Sequence, residues 1–200
     1  MSTQVVLAPG LWMPAAAMAV FSARLRRRGF EVHVFDYRGR DPYEKNLEAL
    51  ASFSRGKERF VGHSLGGVLI LDMLNRHPEM RAEAVVLLGA PVRGCLAGRR
   101  LGRAKLGRWM MGACRSLWDE RAAQWTRPAP LGVVAGTAPI GLGRMLGALP
   151  GENDGVVRVE ETEVDGMSDR ALVRQGHSML VVSRQVCDLV DGFFGSGRFP

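Results

Sequence analysis

A chain of 200 residues that is 46% hydrophobic holds the material for one domain with a sizeable core. None of its apolar runs approaches the roughly 18 residues of a membrane span. Its three cysteines, Cys95, Cys114 and Cys187, stand at unrelated spacings, which argues against a disulfide framework and for reduced thiols in a cytoplasmic setting. The net charge of +7 is carried whole by Arg93 to Arg127, where nine basic residues meet only Asp119 and Glu120, so a nucleic-acid binder with cations spread along its fold is not expected.

The opening "MSTQVVLAPG" has no basic stretch before an apolar one, so no signal peptide is expected, and the ending "GSGRFP" carries no lipidation motif. Gln4 to Ala8 is a short apolar run closed by Pro9-Gly10, which predicts a strand and a turn. Pro14 to Arg28 is alanine-rich, begins on a residue favoured in a first helical turn, and ends before Gly29, which predicts a helix. Phe30 to Tyr37 alternates and is predicted as a strand; Asp41 to Ser54 is predicted as a helix. Arg59 to Gly62 predicts a strand and Ser64 to Arg76 a helix ended before Pro78. "AVVLL", Ala84 to Leu88, and "LGVVAGT", Leu131 to Thr137, have no polar face, as fully buried strands require. Ala171 to Arg174 is a short last strand and Ser178 to Phe194 an amphipathic last helix. Strand and helix alternate throughout, so the expected fold is α/β: about six strands, mostly parallel, flanked by helices, because parallel neighbours need a crossover. Val92 to Pro130 is the exception, long and without a strand pattern where a short connection is usual.

Ser64 lies in Gly62-His63-Ser64-Leu65-Gly66, a G-x-S-x-G pattern between an apolar strand and an apolar helix. That setting suits a nucleophile elbow, in which glycines allow strand and helix backbones to meet and the hydroxyl is lifted clear. The Leu65 N–H would then sit at a helix N-terminus, where a developing oxyanion is stabilised. The plain alternative is a glycine-rich turn with Ser64 as an N-cap. A serine nucleophile needs a histidine base and a carboxylate to orient it. After Ser64 only His77 and His177 are available, and His77 is at the far end of the same helix, about 20 Å away. His177 remains. For the acid, Asp154 in "LPGENDGVV" lies beside a glycine before two β-branched residues; Asp165 and Asp169 are rivals, and an ordinary Asp-Gly turn is the bland reading.

"APGLWM", "GHSLGG", "NDGVV" and "HSML", in that order, resemble the small bacterial lipase-like α/β-hydrolases across nearly the whole chain. The resemblance implies a minimal α/β-hydrolase fold with Ser64 as nucleophile, Asp154 as acid and His177 as base. It also implies an oxyanion hole from the backbone N–H groups of Leu11 and Leu65, although Pro9 stands where such proteins usually carry histidine. The function implied is a serine esterase or lipase acting through an acyl-enzyme on a small or lipid-like ester, without cofactor. An acyltransferase or thioesterase using the same residues, and a non-catalytic binding protein of the same fold, are the competing readings.

Residues 92–130 take the place of a helical cap. "LGRAKLGRWMMGACRSLWDERAAQW" mixes Leu101, Leu106, Trp109, Met110, Leu117, Trp118 and Trp125 with arginines in an amphipathic helical pattern. Its arginines suit an anionic head group, a merely solvated face, or an anionic membrane surface contacted through residues 93–127. "GLGRMLG", Gly141 to Gly147, spaces its glycines wrongly for a dinucleotide site and is expected to be a loop; His33 is expected to be structural, and no His, Cys or carboxylate pair has metal-binding spacing.

Overall fold

Apolar runs without a polar face need cover on both sides, and the strands of this chain obtain it within one sheet. The computed structural model describes residues 3–140 and 147–200, leaving aside the side chains of residues 115 and 116. All but the last residue of the Gly141 to Gly147 stretch lies outside the described residues. The strands are β1 (Gln4–Ala8), β2 (Glu31–Val34), β3 (Arg59–His63), β4 (Ala84–Leu88), β5 (Leu131–Gly136) and β6 (Asp169–Val173). They form a six-stranded sheet in the order β2-β1-β3-β4-β5-β6. Every pairing is parallel, from Val5 opposite Val32 at one edge to Val133 opposite Arg170 at the other.

The helices are α1 (Ala19–Arg26), α2 (Tyr43–Phe53), α3 (Leu65–Arg76), α4 (Leu96–Leu101), α5 (Lys105–Met111) and α6 (Arg184–Ser196). Side-chain alternation along each strand divides the core into two layers. Val6, Phe60, Val85 and Val133 pack with α2, α3 and the 92–130 insertion. Val5, Val61, Val86 and Val134 pack against α1 and α6 on the opposite face. No helix among the described residues is long and apolar enough to cross a membrane.

Several elements differ from expectation for local reasons. The helix expected from Pro14 begins as a 3₁₀ turn, Ala15–Met18, because Pro14 offers no side-chain cap and the first turn tightens instead. β2 stops at Val34, since Phe35 turns its ring onto Tyr37 and Phe53, with centroids 5.1 and 5.4 Å away. The last helix starts six residues late: Ser183 caps it by accepting the Val186 N–H, and His177–Met179 forms a separate 3₁₀ turn. The amphipathic pattern of the insertion does not form one long helix. It is divided into α4, α5 and a 3₁₀ stretch, Gly112–Trp118, and Gly112 at φ 61° turns the chain out of α5 with its backbone against Arg40.

Candidate active site

Ser64 sits at the junction of β3 and α3 with φ 53° and ψ −123°, a conformation that non-glycine residues adopt rarely and at a cost of about 1–3 kcal/mol. Its own N–H donates to the Leu88 carbonyl at the end of β4, at 3.0 Å. The flanking glycines are sterically required. A Cβ on Gly62 would lie 2.4 Å from the Gly67 Cα, and one on Gly66 would lie 2.2 Å from the Ala8 carbonyl oxygen. The turn therefore has the tightness of a nucleophile elbow. The same packing brings the turn after β1 across the serine, with an added Gly10 Cβ only 2.9 Å from the Ser64 Cβ.

Asp154 and His177 arrive from the loops after β5 and β6 and meet at the same edge. His177 Nδ1 lies 2.6 Å from Asp154 Oδ2, and both side chains are buried. The other carboxylate oxygen accepts the N–H groups of Val156 and Val157 at 2.9 and 2.7 Å, so both sides of Asp154 are engaged. The His177 N–H donates to the Asp154 carbonyl at 2.9 Å, which joins the two loops through the main chain as well. With Oδ2 acting as acceptor, the proton is assigned to Nδ1 and Nε2 carries the lone pair. The rival carboxylates are engaged elsewhere: Asp165 pairs with Arg93, and Asp169 accepts the Phe199 N–H at 2.8 Å.

Ser64 and His177 line one cavity of about 330 Å³. Leu11, Trp12, Met13, Val156 and Val157 contribute from the core domain, and Cys95, Leu101, Met110, Met111 and Trp118 from the insertion. No Arg, Lys, Asp or Glu belongs to this lining among the described residues. The Cys95 thiol is pushed up to about 12, first by burial and then by the nearby Glu161 carboxylate, and so is held as an inert thiol. Leu11 and Leu65 flank Ser64, and neither of their amide N–H groups donates to a protein acceptor among the described residues. The loop carrying Leu11 is braced by the Tyr37 hydroxyl, which donates to the Pro9 carbonyl at 2.8 Å. Trp12 next to it has φ 62°, so the two non-glycine residues with positive φ among the described residues both border this cavity.

His63 was not singled out in the sequence, although it is the last residue of β3 and adjoins Ser64. It is fully buried, its ring centroid lies 4.7 Å from that of His177, and its Nε2 is 3.0 Å from the His177 carbonyl oxygen. Burial, with a smaller contribution from the neighbouring His177, pushes its pKa down to about 3. A neutral His63 donates from Nε2 and ties the β3 end to the loop bearing His177. His77 is remote from all of this, in a polar groove of about 650 Å³ with Glu48 and Glu79 as partners. His33 pairs with Glu31 on the edge strand.

The insertion's basic residues differ in how they are engaged. Arg93 pairs with Asp165, Arg99 with Glu120 at 2.7 Å, and Arg121 with Asp72, while Arg127 donates to the Leu74 carbonyl at 2.7 Å. Arg103 and Lys105 are exposed and form no ion pair among the described residues.

Residues 5–187 match a family model described as the alpha/beta hydrolase family. Three solved structures illustrate the likeness in three dimensions. The pyrethroid hydrolase PytH is 14% identical over 98% of this chain and 99% of that one, with a TM-score of 0.67. The RedJ thioesterase of the prodiginine biosynthetic pathway in Streptomyces coelicolor is 17% identical over 97% and 90%, with a TM-score of 0.57. Phospholipase PlaB from Legionella pneumophila is 15% identical over 80% of this chain and 44% of that one, with a TM-score of 0.63. At such identities the shared property is the fold. No functionally curated protein matches the chain by sequence.

Proposed function

The chain belongs to the alpha/beta hydrolase family, and from that premise we propose that it is a serine hydrolase cleaving a neutral carboxylic ester through an acyl-enzyme. The observation that carries this reading is the buried contact of 2.6 Å between His177 and Asp154, opening onto the same cavity as the strained Ser64. Asp154 accepts a hydrogen bond from the His177 Nδ1–H and so fixes the tautomer, which leaves His177 Nε2 to take the proton from Ser64 as its oxygen attacks the ester carbonyl. The oxyanion that forms is held by the Leu11 and Leu65 N–H groups. As the tetrahedral intermediate collapses, His177 returns the proton to the departing alkoxide. Water, activated by His177, then attacks the acyl-enzyme and releases the acid and Ser64.

Residues 92–130 serve as the cap of this site. The lack of charged residues in the lining among the described residues favours an uncharged, apolar acyl group, since a charged group would lose hydration there without gaining a partner. Neighbours named as a hydrolase and a thioesterase support acyl-bond hydrolysis as the reaction class. Three buried free thiols suit a reducing cytoplasm.

The test is hydrolysis of uncharged nitrophenyl esters of graded acyl length by the wild type and by Ser64→Ala. The wild type should turn over, and Ser64→Ala should be slower by about a thousandfold or more with the same circular dichroism spectrum. Equal rates in the two proteins would remove the assignment. Preferential transfer of the acyl group to an added alcohol would move the reaction to acyl transfer by the same residues.

A further inference from the structure

α5 is apolar on two sides. Gly107 and Met111 face inward and are buried, while Leu106 and Trp109 are 66% and 64% exposed. Their i, i+3 spacing puts Leu106 and Trp109 on one outward stripe. Trp12, 48% exposed, adjoins that helix, its Nε1–H donating to the Met110 carbonyl at 2.8 Å. Arg40 lies over the Trp109 ring, 4.5 Å from its centroid, and donates to the Trp109 carbonyl at 2.8 Å. Trp12 and Trp109 are thus held at the surface by contacts with the chain around them.

Cations flank the stripe in sequence. Arg99, Arg100, Arg103, Lys105 and Arg108 fall within ten residues, with no acidic residue between Arg93 and Asp119. Arg103 and Lys105 are exposed, and among the described residues Arg108 donates to the carbonyls of Gly102 and Arg103 and has no acidic partner. Trp12 and Met110 belong both to this region and to the lining of the cavity that holds Ser64.

We infer that this face docks the protein on an anionic phospholipid bilayer, so that the ester reaches the cavity past Trp12 and Met110 from the lipid side. Indole rings settle at the headgroup level, and each Lys or Arg near an anionic leaflet adds to the attraction. A second copy of the chain fits less well, because an isologous contact would set this cationic face against itself. A protein partner fits less well too, since a seven-residue helix offers far less than the about 800 Å² per side of a stable interface. The delivery step rests on the proposed ester hydrolysis; the docking does not.

The experiment uses full-length Ser64→Ala protein, silent in catalysis, with vesicles of phosphatidylcholine alone or mixed with phosphatidylglycerol. Sedimentation should show binding to the anionic vesicles only, weakening as salt is raised. The pairs Arg103→Glu with Lys105→Glu, and Leu106→Ser with Trp109→Ser, should each weaken it by about tenfold or more. The same pairs placed in the active protein should cleave a short, soluble nitrophenyl ester at the wild-type rate, which separates failure of docking from failure of the chemistry. Absence of vesicle binding, equal binding to phosphatidylcholine, or variants that bind like the parent would overturn the inference. So would a change of oligomeric state in the variants without vesicles, or capture of an oligonucleotide in preference to the vesicles.

Discussion

The carboxyl edge of the sheet and the 92–130 insertion line the same cavity but are held by main chain and side chain in different proportions. At the edge the main chain does the holding: the Ser64 N–H is fixed to Leu88, the His177 N–H to Asp154, and the Asp154 carboxylate to two successive N–H groups. The insertion has main-chain bonds to the rest at Arg93, Ala113, Ala123 and Trp125, but leans more on side chains, with Arg121 on Asp72 and Arg127 on the Leu74 carbonyl. Ser64, Asp154 and His177 are thus placed largely by the backbone, whereas the insertion's side of the cavity leans more on exchangeable side-chain contacts. Chemistry and selectivity should therefore be separable by mutation.

Asp154→Asn should have the largest effect. Its carbonyl oxygen keeps the bonds from Val156 and Val157, while the amide nitrogen presents a donor to His177 Nδ1 and forces the wrong tautomer. kcat should fall by about 10,000-fold, with a melting temperature close to that of the wild type; a small change in steady-state rate would show that the edge does not work as a unit.

Gly66→Ala comes next and acts on stability. The new Cβ would meet the main chain of Ala8 at 2.2 Å, where no side-chain rotation relieves it, so unfolding in urea should show a loss of about 3 kcal/mol. A neutral result would mean that the elbow yields more readily than its packing implies.

His63→Gln sharpens the comparison through pH. Folded His63 has its pKa near 3, against 6.5 for an ordinary histidine. Between these values the unfolded chain takes up a proton that the folded one refuses. The stability present above about pH 6.5 is therefore lost as the pH falls toward 3, by up to about 1.4 kcal/mol per pH unit. Glutamine has no such proton and retains a donor for the His177 carbonyl, so urea unfolding across this window should give a shallower slope in the variant by one proton. Identical slopes would dissociate His63 from the effect.

Leu101→Ala, on the insertion side, should be the mildest. It shortens a half-buried part of the cavity wall and should raise KM for the longest esters by about fivefold with kcat little changed. A fall in kcat equal to that of Asp154→Asn would erase the distinction between wall and edge.

The same contrast governed what could be read from sequence. Strand and helix order, the tight turn around Ser64 and the proximity of His177 to that edge follow from short-range patterns: apolar runs, glycines around a serine, and a histidine just after a strand. The meeting of Asp154 with His177 has rivals in Asp165 and Asp169, because only the parallel pairing of β5 with β6 decides which loop faces which. The insertion was less legible. Trp109, Trp118 and Trp125 carry the same helical-type pattern, yet Trp118 and Trp125 are buried and Trp109 is not, since Gly102 and Gly112 interrupt the helix and change the face turned inward. His63 carries no such signal, because its partner is a carbonyl oxygen 114 residues away, and main-chain acceptors leave no mark in a sequence.

Covalent labelling with a fluorophosphonate, read by intact mass and peptide mapping, tests the assignment of the nucleophile most directly. A single adduct on Ser64, absent from folded Ser64→Ala protein and slowed in His177→Ala, is the expected result. An adduct that persists in Ser64→Ala, or that maps to another residue in the wild type, would contradict it.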